Sequence, residues 1–234
     1  MTLKHTLFSA LLALFVASPG IALAESKNAT DSSRHGSTRT YEVTITNISA
    51  TIFTPALAVA HKPEVSLFET GTQASPELAS LAEGGATMPF TDLLSGLPDV
   101  IGDYETAGGP LLPGESVTLI LSAPRKFNRV SVVAMLLPTN DSFIGLNTVA
   151  VPKRRWQTLE YTALGYDAGS EPNDELCVNI PGPQCNGAGD SPDAGGEGFI
   201  KVSPGIHGGG DLDPADYDWR NPVAKIAITR VANN

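Results

Sequence analysis

The chain predicts an antiparallel β-sandwich, and three observations carry that expectation. Three stretches alternate with a period of two: Tyr41, Val43 and Ile45 against Glu42, Thr44 and Thr46; Val117, Leu119 and Leu121 against Ser116, Thr118 and Ile120; Ala224, Ile226 and Ile228 against Lys225, Ala227 and Thr229. That is the signature of strands with one buried face. Turn residues punctuate them, with Leu112-Pro113-Gly114-Glu115 before the second and Ala123-Pro124-Arg125 after it. Helix is scarce, and with 23 Gly and 18 Pro the remainder reads as ordered loops.

Residues 130–137 are more continuously apolar and read as a central strand. One helix is well marked. Ser75-Pro76-Glu77 supplies an N-cap, a proline at the first helical position and an acidic first turn; Leu78 and Leu81 form its apolar face, and Gly84-Gly85 stops it. A second short helix is expected over residues 88–94.

The first 24 residues read as an export signal. Lys4 and His5 open it, residues 7–17 are apolar, Ser18-Pro19-Gly20 breaks any helix, and Ala22-Leu23-Ala24 offers small residues for cleavage. The competing reading is an uncleaved anchor, but the apolar run is well short of the ~20 residues that span a bilayer. Cleavage after Ala24 would leave a secreted or periplasmic protein with no membrane span. Residues 25–40 are polar and aperiodic and read as a flexible leader. Residues 41–234, roughly 190 of them, suit one sandwich domain.

Cys177 and Cys185 are the only two cysteines, and Pro181, Gly182 and Pro183 lie between them. In an exported chain such a pair reads as a disulfide; a zinc site would need two further ligands, which no second Cys pair or nearby His provides. The charge is acidic, 15 Lys+Arg against 25 Asp+Glu for a net of −10. That balance argues against nucleic acid as a partner and is compatible with cation binding.

Two loops look suited to a hard cation. Pro138-Thr139-Asn140-Asp141-Ser142-Phe143-Ile144-Gly145 and Tyr166-Asp167-Ala168-Gly169-Ser170-Glu171 each place carboxylates on a short Gly-containing turn after an apolar run. Calcium takes six to eight oxygens from carboxylates, carbonyls and water. By spacing alone, Asp141 and Asp167 read more readily as turn formers accepting backbone N–H bonds than as ligands, since Asp is common in loops.

These two stretches, with several landmarks in the same order, resemble the N-terminal domain of spondins. Tyr41-Glu42-Val43-Thr44-Ile45-Thr46-Asn47 with Phe53-Thr54-Pro55 is similar to the family's opening strand. Ala60-His61-Lys62-Pro63, Leu67-Phe68-Glu69-Thr70-Gly71, the helix from Pro76 and Gly109-Pro110-Leu111-Leu112-Pro113-Gly114-Glu115 follow. Gly205-Ile206-His207-Gly208 and Asp218-Trp219-Arg220-Asn221-Pro222-Val223-Ala224 resemble the close of bacterial members. The resemblance implies a C2-like, eight-stranded antiparallel sandwich, no catalytic activity and one Ca²⁺ at one end. The implied ligands are Asp141, Asp167 and Glu171, where relatives carry Asp at the last position. It favours the metal reading of these carboxylates over the turn reading.

The remaining motifs are weaker. Asp211-Leu212-Asp213-Pro214-Ala215-Asp216-Tyr217-Asp218 fails as an EF-hand, because Ala215 takes a ligand position, Asp216 replaces the turn glycine and Pro222 stands where the bidentate Glu belongs. A solvated turn with Asp216 or Asp218 capping amides is the plainer reading, and Trp219 reads as packing. His207-Gly208-Gly209-Gly210 is similar to esterase oxyanion-hole glycines, yet no Gly-x-Ser-x-Gly elbow accompanies it. His61 and His207 are scattered and read as structural. The expected function is a non-catalytic, calcium-supported adhesion or interaction module, with an extracellular or envelope protein or a polysaccharide as partner. The alternatives are a metal-free structural envelope protein and an exported hydrolase with a metal or histidine site.

Overall fold

The computed structural model describes residues 38–190 and 195–232; the signal segment and most of the leader lie outside the described residues. The chain forms β1 (Thr38–Asn47), β2 (Ile52–Phe53), β3 (Leu57–His61), α1 (Pro76–Gly84), α2 (Met88–Ser95), β4 (Ile101–Thr106), β5 (Ser116–Pro124) and β6 (Arg129–Leu137). It continues through β7 (Ser142–Ala150), β8 (Thr158–Asp167), β9 (Lys201–Val202), α3 (Pro214–Tyr217) and β10 (Ala224–Val231). All pairings are antiparallel, in the order β4-β3-β6-β7-β8-β10-β1-β5, with β2 on β6 and β9 on β8. The two ends of this path approach each other, where the Ser122 N–H donates to Asp103 Oδ2 across the β4/β5 seam. Eight principal strands thus wrap one core and almost close; the antiparallel all-β class and the eight strands are as expected from the sequence. Thr38 to Thr40, assigned above to the leader, are already paired with β5.

The alternating strands behave as their pattern dictates. Tyr41, Val43, Ile45, Leu121, Ile226 and Ile228 are buried in the inner core, while Thr40, Thr44 and Thr46 face outward and bond Ser122, Thr118 and Ser116 across the strands. β6 is buried on both faces for a different reason. Val130, Val132, Ala134 and Leu136 point to the inner core, whereas Val133 joins a second core under α1 and α2 with Leu57, Leu78, Leu81, Phe90 and Phe143. A strand sandwiched this way reads as a near-continuous apolar run.

The capping residues place α1 over that second core. Ser75 Oγ accepts the Leu78 N–H at 3.3 Å, Pro76 occupies the first turn, and Gly85 ends the helix at φ +69°. A Cβ at Gly85 would also collide with the Thr54 side chain, so that position needs glycine twice over.

The strand directions sort the loops. The β6–β7 turn, the segment after β8 and the chain around β9 and α3 gather at one end; the β5–β6 turn and the β7–β8 loop lie at the other. The segment after β8 is pinned by the Cys177–Cys185 disulfide, with Cα atoms 4.7 Å apart. Trp219 is buried against Gly165, as its packing role requires.

Candidate metal centre

Asp141 sits in the β6–β7 turn, which Thr139 locks. The Thr139 hydroxyl donates to the Leu136 carbonyl at 2.6 Å and accepts the Ser142 N–H at 3.1 Å. Asp167 ends β8 directly opposite Ser142 in the β7–β8 register, so the two carboxylates come from neighbouring strands at the same level. The Ala168 N–H donates to the Asp141 carbonyl at 3.1 Å and ties the loops together. Gly169 then turns the chain at φ +65°, where a Cβ would strike the Phe199 backbone, and its N–H donates to Asp167 Oδ1 at 2.8 Å.

That turn aims the next two amides at Asp141. Its Oδ2 accepts the Ser170 N–H at 2.8 Å and the Glu171 N–H at 3.1 Å. Its Oδ1 is buried and has no hydrogen-bond partner. Asp141, Asp167 and Glu171 are all essentially inaccessible to solvent. Burial pushes the Asp141 carboxyl up to about 7, the Asp167 charge adds to the push, and the two backbone amides oppose it. A carboxylate held this way wants a proton or a cation.

Asp167 is better served. Its Oδ2 accepts the Asn173 amide N–H at 2.7 Å and faces Lys201 Nζ at 3.1 Å. The ammonium also pairs with Glu197. Burial opposes the charge on Lys201, but Glu197 and Asp167 outweigh it and raise its pKa. Asn140 links the next segment, donating to Asp174 Oδ1 at 2.9 Å and accepting the Glu175 N–H at 3.1 Å.

The three carboxylates expected from the sequence therefore occupy one end of the sandwich. Asp141 and Asp167 are electrostatically coupled, and Glu171 contributes its amide to Asp141. Among the described residues, no three His, Cys, Asp or Glu side chains stand together in a metal-holding arrangement. Lys201, Asn173 and Glu197 are the residues that sequence reasoning missed. Only the opposite charges of Glu197 and Lys201, four positions apart, hinted at them, and that spacing carries meaning only inside a helix.

The donor set passes one test of fit to a hard cation. Every side-chain atom offered by the three acids is oxygen, and one buried carboxylate oxygen, Asp141 Oδ1, lacks a donor.

The other motifs resolve as structural. His61 is fully buried; burial lowers its pKa, so the ring is neutral. Its Nδ1–H donates to the Lys62 carbonyl at 2.8 Å, and Nε2 lies 2.8 Å from the Ser131 hydroxyl, which also donates to Asn147 Oδ1 at 3.0 Å. This serine–histidine pair has a base in reach, but Ser131 is inaccessible and also accepts the Thr148 N–H. The glycine run after His207 is committed too: the His207 and Gly209 amides donate to the Glu175 carboxylate, an internal anion where an oxyanion would otherwise sit. In the tail, Asp213 caps α3 through the Ala215 N–H at 2.9 Å, and Asp218 Oδ1 accepts the Ile206 N–H at 3.2 Å. Among the described residues, no helix is long and apolar enough to cross a membrane.

A family model described as Spondin_N matches residues 34–174, from the start of β1 through Asp141, Asp167 and Glu171. No curated protein matches the chain. The matched segment covers more than half of the sequence. The chain belongs to the spondin N-terminal domain family, a non-enzymatic type of domain associated with extracellular interactions.

Proposed function

We propose that this protein is an exported adhesion or interaction module whose acidic-end loops are ordered by Ca²⁺. The observation that supports it is the Asp141 carboxylate, which is buried beside the Asp167 charge with Oδ1 lacking any donor. The side chains of Asp141, Asp167 and Glu171, which do not stand together without the ion, would turn toward it to hold it, with loop carbonyls and water completing the oxygen shell. When bound, the ion supplies positive charge that neutralises Asp141 and Asp167 and fixes the 167–175 segment against the β6–β7 turn. Those loops form the presented surface, and stiffening them before contact lowers the ordering penalty of binding a partner. The disulfide supports the extracellular reading.

A second reading is favoured by Lys201. Its ammonium already lies against Asp167 and serves as a permanent internal cation in a metal-free structural module. One experiment separates the two. Natively purified protein is analysed for metals, stripped with chelator and titrated with calcium in a calorimeter, and melted with and without the ion. The calcium reading expects one bound ion and a raised melting temperature; at a hundredfold excess over Kd, linkage gives about 2.7 kcal/mol. Asp167→Asn should remove most of that response. Coincident melts and no heat of binding would leave Lys201 as the only counter-charge.

A further inference from the structure

The other end of the sandwich carries the opposite charge. Among the described residues every Lys and Arg except Lys201, Arg220 and Lys225 lies there, although the chain as a whole is strongly acidic. Arg125 and Lys126 form the β5–β6 turn, and Lys153, Arg154 and Arg155 stand in the β7–β8 loop. All five are exposed, and among the described residues none of them has an ion-pair partner. The acidic side chains near them are few. Glu64 is paired with Lys62, Asp103 accepts the Ser122 N–H, Asp99 lies before β4, and Glu42 faces outward from β1.

Trp156 follows Arg155 and is 68 % exposed. Its backbone is held at φ +63°. The Trp156 N–H donates to the Arg230 carbonyl at 2.6 Å, the Gln157 N–H to the Arg154 carbonyl at 3.2 Å, and the Arg230 guanidinium to the Lys153 carbonyl. The loop is therefore braced, and the indole is presented rather than left to wander. The ring borders a shallow groove of about 260 Å³ on the outer face of β10, β1 and β5, lined also by Thr40, Glu42, Ile120 and Val231. Beyond the groove the face is a ladder of hydroxyls, with Thr40–Ser122, Thr44–Thr118 and Thr158–Thr229 in contact.

We infer that this basic end, with Trp156 and its groove, docks an acidic polysaccharide. The inference rests on the interaction-module reading but not on the ion, since the two sites occupy opposite ends of the strands. A uronate or sulfated sugar offers what these groups recognise. Its carboxylate or sulfate suits the planar guanidinium forks of Arg154 and Arg155, its apolar ring face suits a flat indole, and its hydroxyls suit Thr40 and Glu42. The alternatives fit less well. A protein interface would centre on a contiguous apolar core, and among the described residues lining the groove only Trp156 and Ile120 are apolar and exposed. A membrane anchor would project apolar residues from the tip; the loop's other apolar members, Val151 and Pro152, are buried, and the indole lies along the strand face. The acidic opposite end orients the molecule, keeping its own charge away from a polyanion.

The test uses the intact exported chain, with affinity measured over a range of salt for polygalacturonate, neutral dextran, phosphatidylglycerol vesicles and duplex DNA. Expected is polygalacturonate binding that weakens steeply with salt, since exposed charges are screened over about 8 Å at physiological ionic strength, and no dextran binding. The double variant Arg154→Ala/Arg155→Ala should lose at least about tenfold in affinity at low salt and flatten the salt dependence. Trp156→Asn, chosen because Asn tolerates the left-handed backbone, should lose about tenfold at every salt concentration with the slope unchanged. Melting curves of both variants verify that they fold, and chelator should leave binding intact. Absent polygalacturonate binding, tighter binding to vesicles or DNA, unchanged affinity in Trp156→Asn, or binding that requires calcium would each overturn the inference. A missing calcium response with glycan binding intact would sink only the ion.

Discussion

Asp141→Asn separates the proton, the cation and the fold at the acidic end. In the unfolded chain an Asp releases its proton near pH 4, whereas the folded Asp141 carboxyl keeps it up to about 7. Between these limits the native state holds the extra proton. Its stabilising contribution is therefore complete below about pH 4, is lost as pH rises through 7, and stays lost above. About three pKa units at ~1.4 kcal/mol each set a ceiling of about 4 kcal/mol on the loss. The asparagine can keep its carbonyl on the Ser170 and Glu171 amides and place its amide where Oδ1 now lacks a donor. That amide gains no evident acceptor, which costs about 1–3 kcal/mol. At pH 8 in chelator the variant should still be more stable by about 1–3 kcal/mol, or roughly 2–12 °C in Tm for a domain of this size. Toward pH 4 the advantage should disappear. His61 works the other way: its pKa is lowered by burial, so stability falls as pH drops below its unfolded value of about 6.5. That contribution is common to both proteins and cancels in their difference. Saturating calcium should invert the order, raising the wild type and leaving the variant unmoved. Denaturant or thermal unfolding at pH 4 to 8, with calcium and with chelator, reads all of this. A variant less stable than wild type at pH 8 in chelator, or one that keeps the full calcium response, would refute the reasoning.

Three further outcomes test the structure around this site. Lys201→Met should lower stability in chelator by about 1–3 kcal/mol, less than the ~3–5 of a fully buried pair because the lysine side chain is 25 % exposed. It should also tighten calcium binding in calorimetry, by removing the competitor at Asp167; weaker binding would show that Lys201 helps hold the site. Leu81→Ala, beneath α1 in the second core, should cost about 2–5 kcal/mol in denaturant unfolding, whereas a cost well under 1 would mean that α1 is not packed there. Replacing Cys177 and Cys185 by Ser should lower stability by about 2–3 kcal/mol, as loop entropy gives for a separation of 8 residues, and should raise proteolysis within 177–190 before the strands are cut.

The strands with one wet face were legible because burial and hydroxyl pairing alternate along them, and β1, β5 and β10 follow their patterns residue by residue. The cap chemistry of α1 was equally plain, since Ser75, Pro76 and Gly85 each act within a few residues. What could not be read was pairing across distance. Nothing in the local sequence says that β10, beyond the matched family segment, inserts between β8 and β1, because antiparallel neighbours far apart in sequence leave no local trace. The same limit explains the site. Asp141 and Asp167 stood out as loop carboxylates, but Lys201 reaches Asp167 only through the two-residue pairing of β9 with β8, too short to show a period. The near-continuous apolar run of β6 showed that both of its faces are covered, but not by which element.

The two carboxylates then differ in what they require, and that difference decides what an ion can control. Asp167 has an amide on one oxygen and an asparagine and an ammonium on the other, so it is stable without metal. Asp141 has two amides on one oxygen and nothing on the other, and its only routes to neutrality are a proton or an added cation. The inner core is an apolar cluster packed between sheet faces, and neither carboxylate is part of it. Removing the ion should therefore leave β1 to β10 paired and loosen only the segment that depends on Asp141, from Ala168 to Glu171 and onward to the disulfide. Hydrogen exchange would show this as faster exchange of the Ser170 and Glu171 amides on chelation, with the strand amides unchanged. A global loss of protection would mean that the ion holds the fold itself.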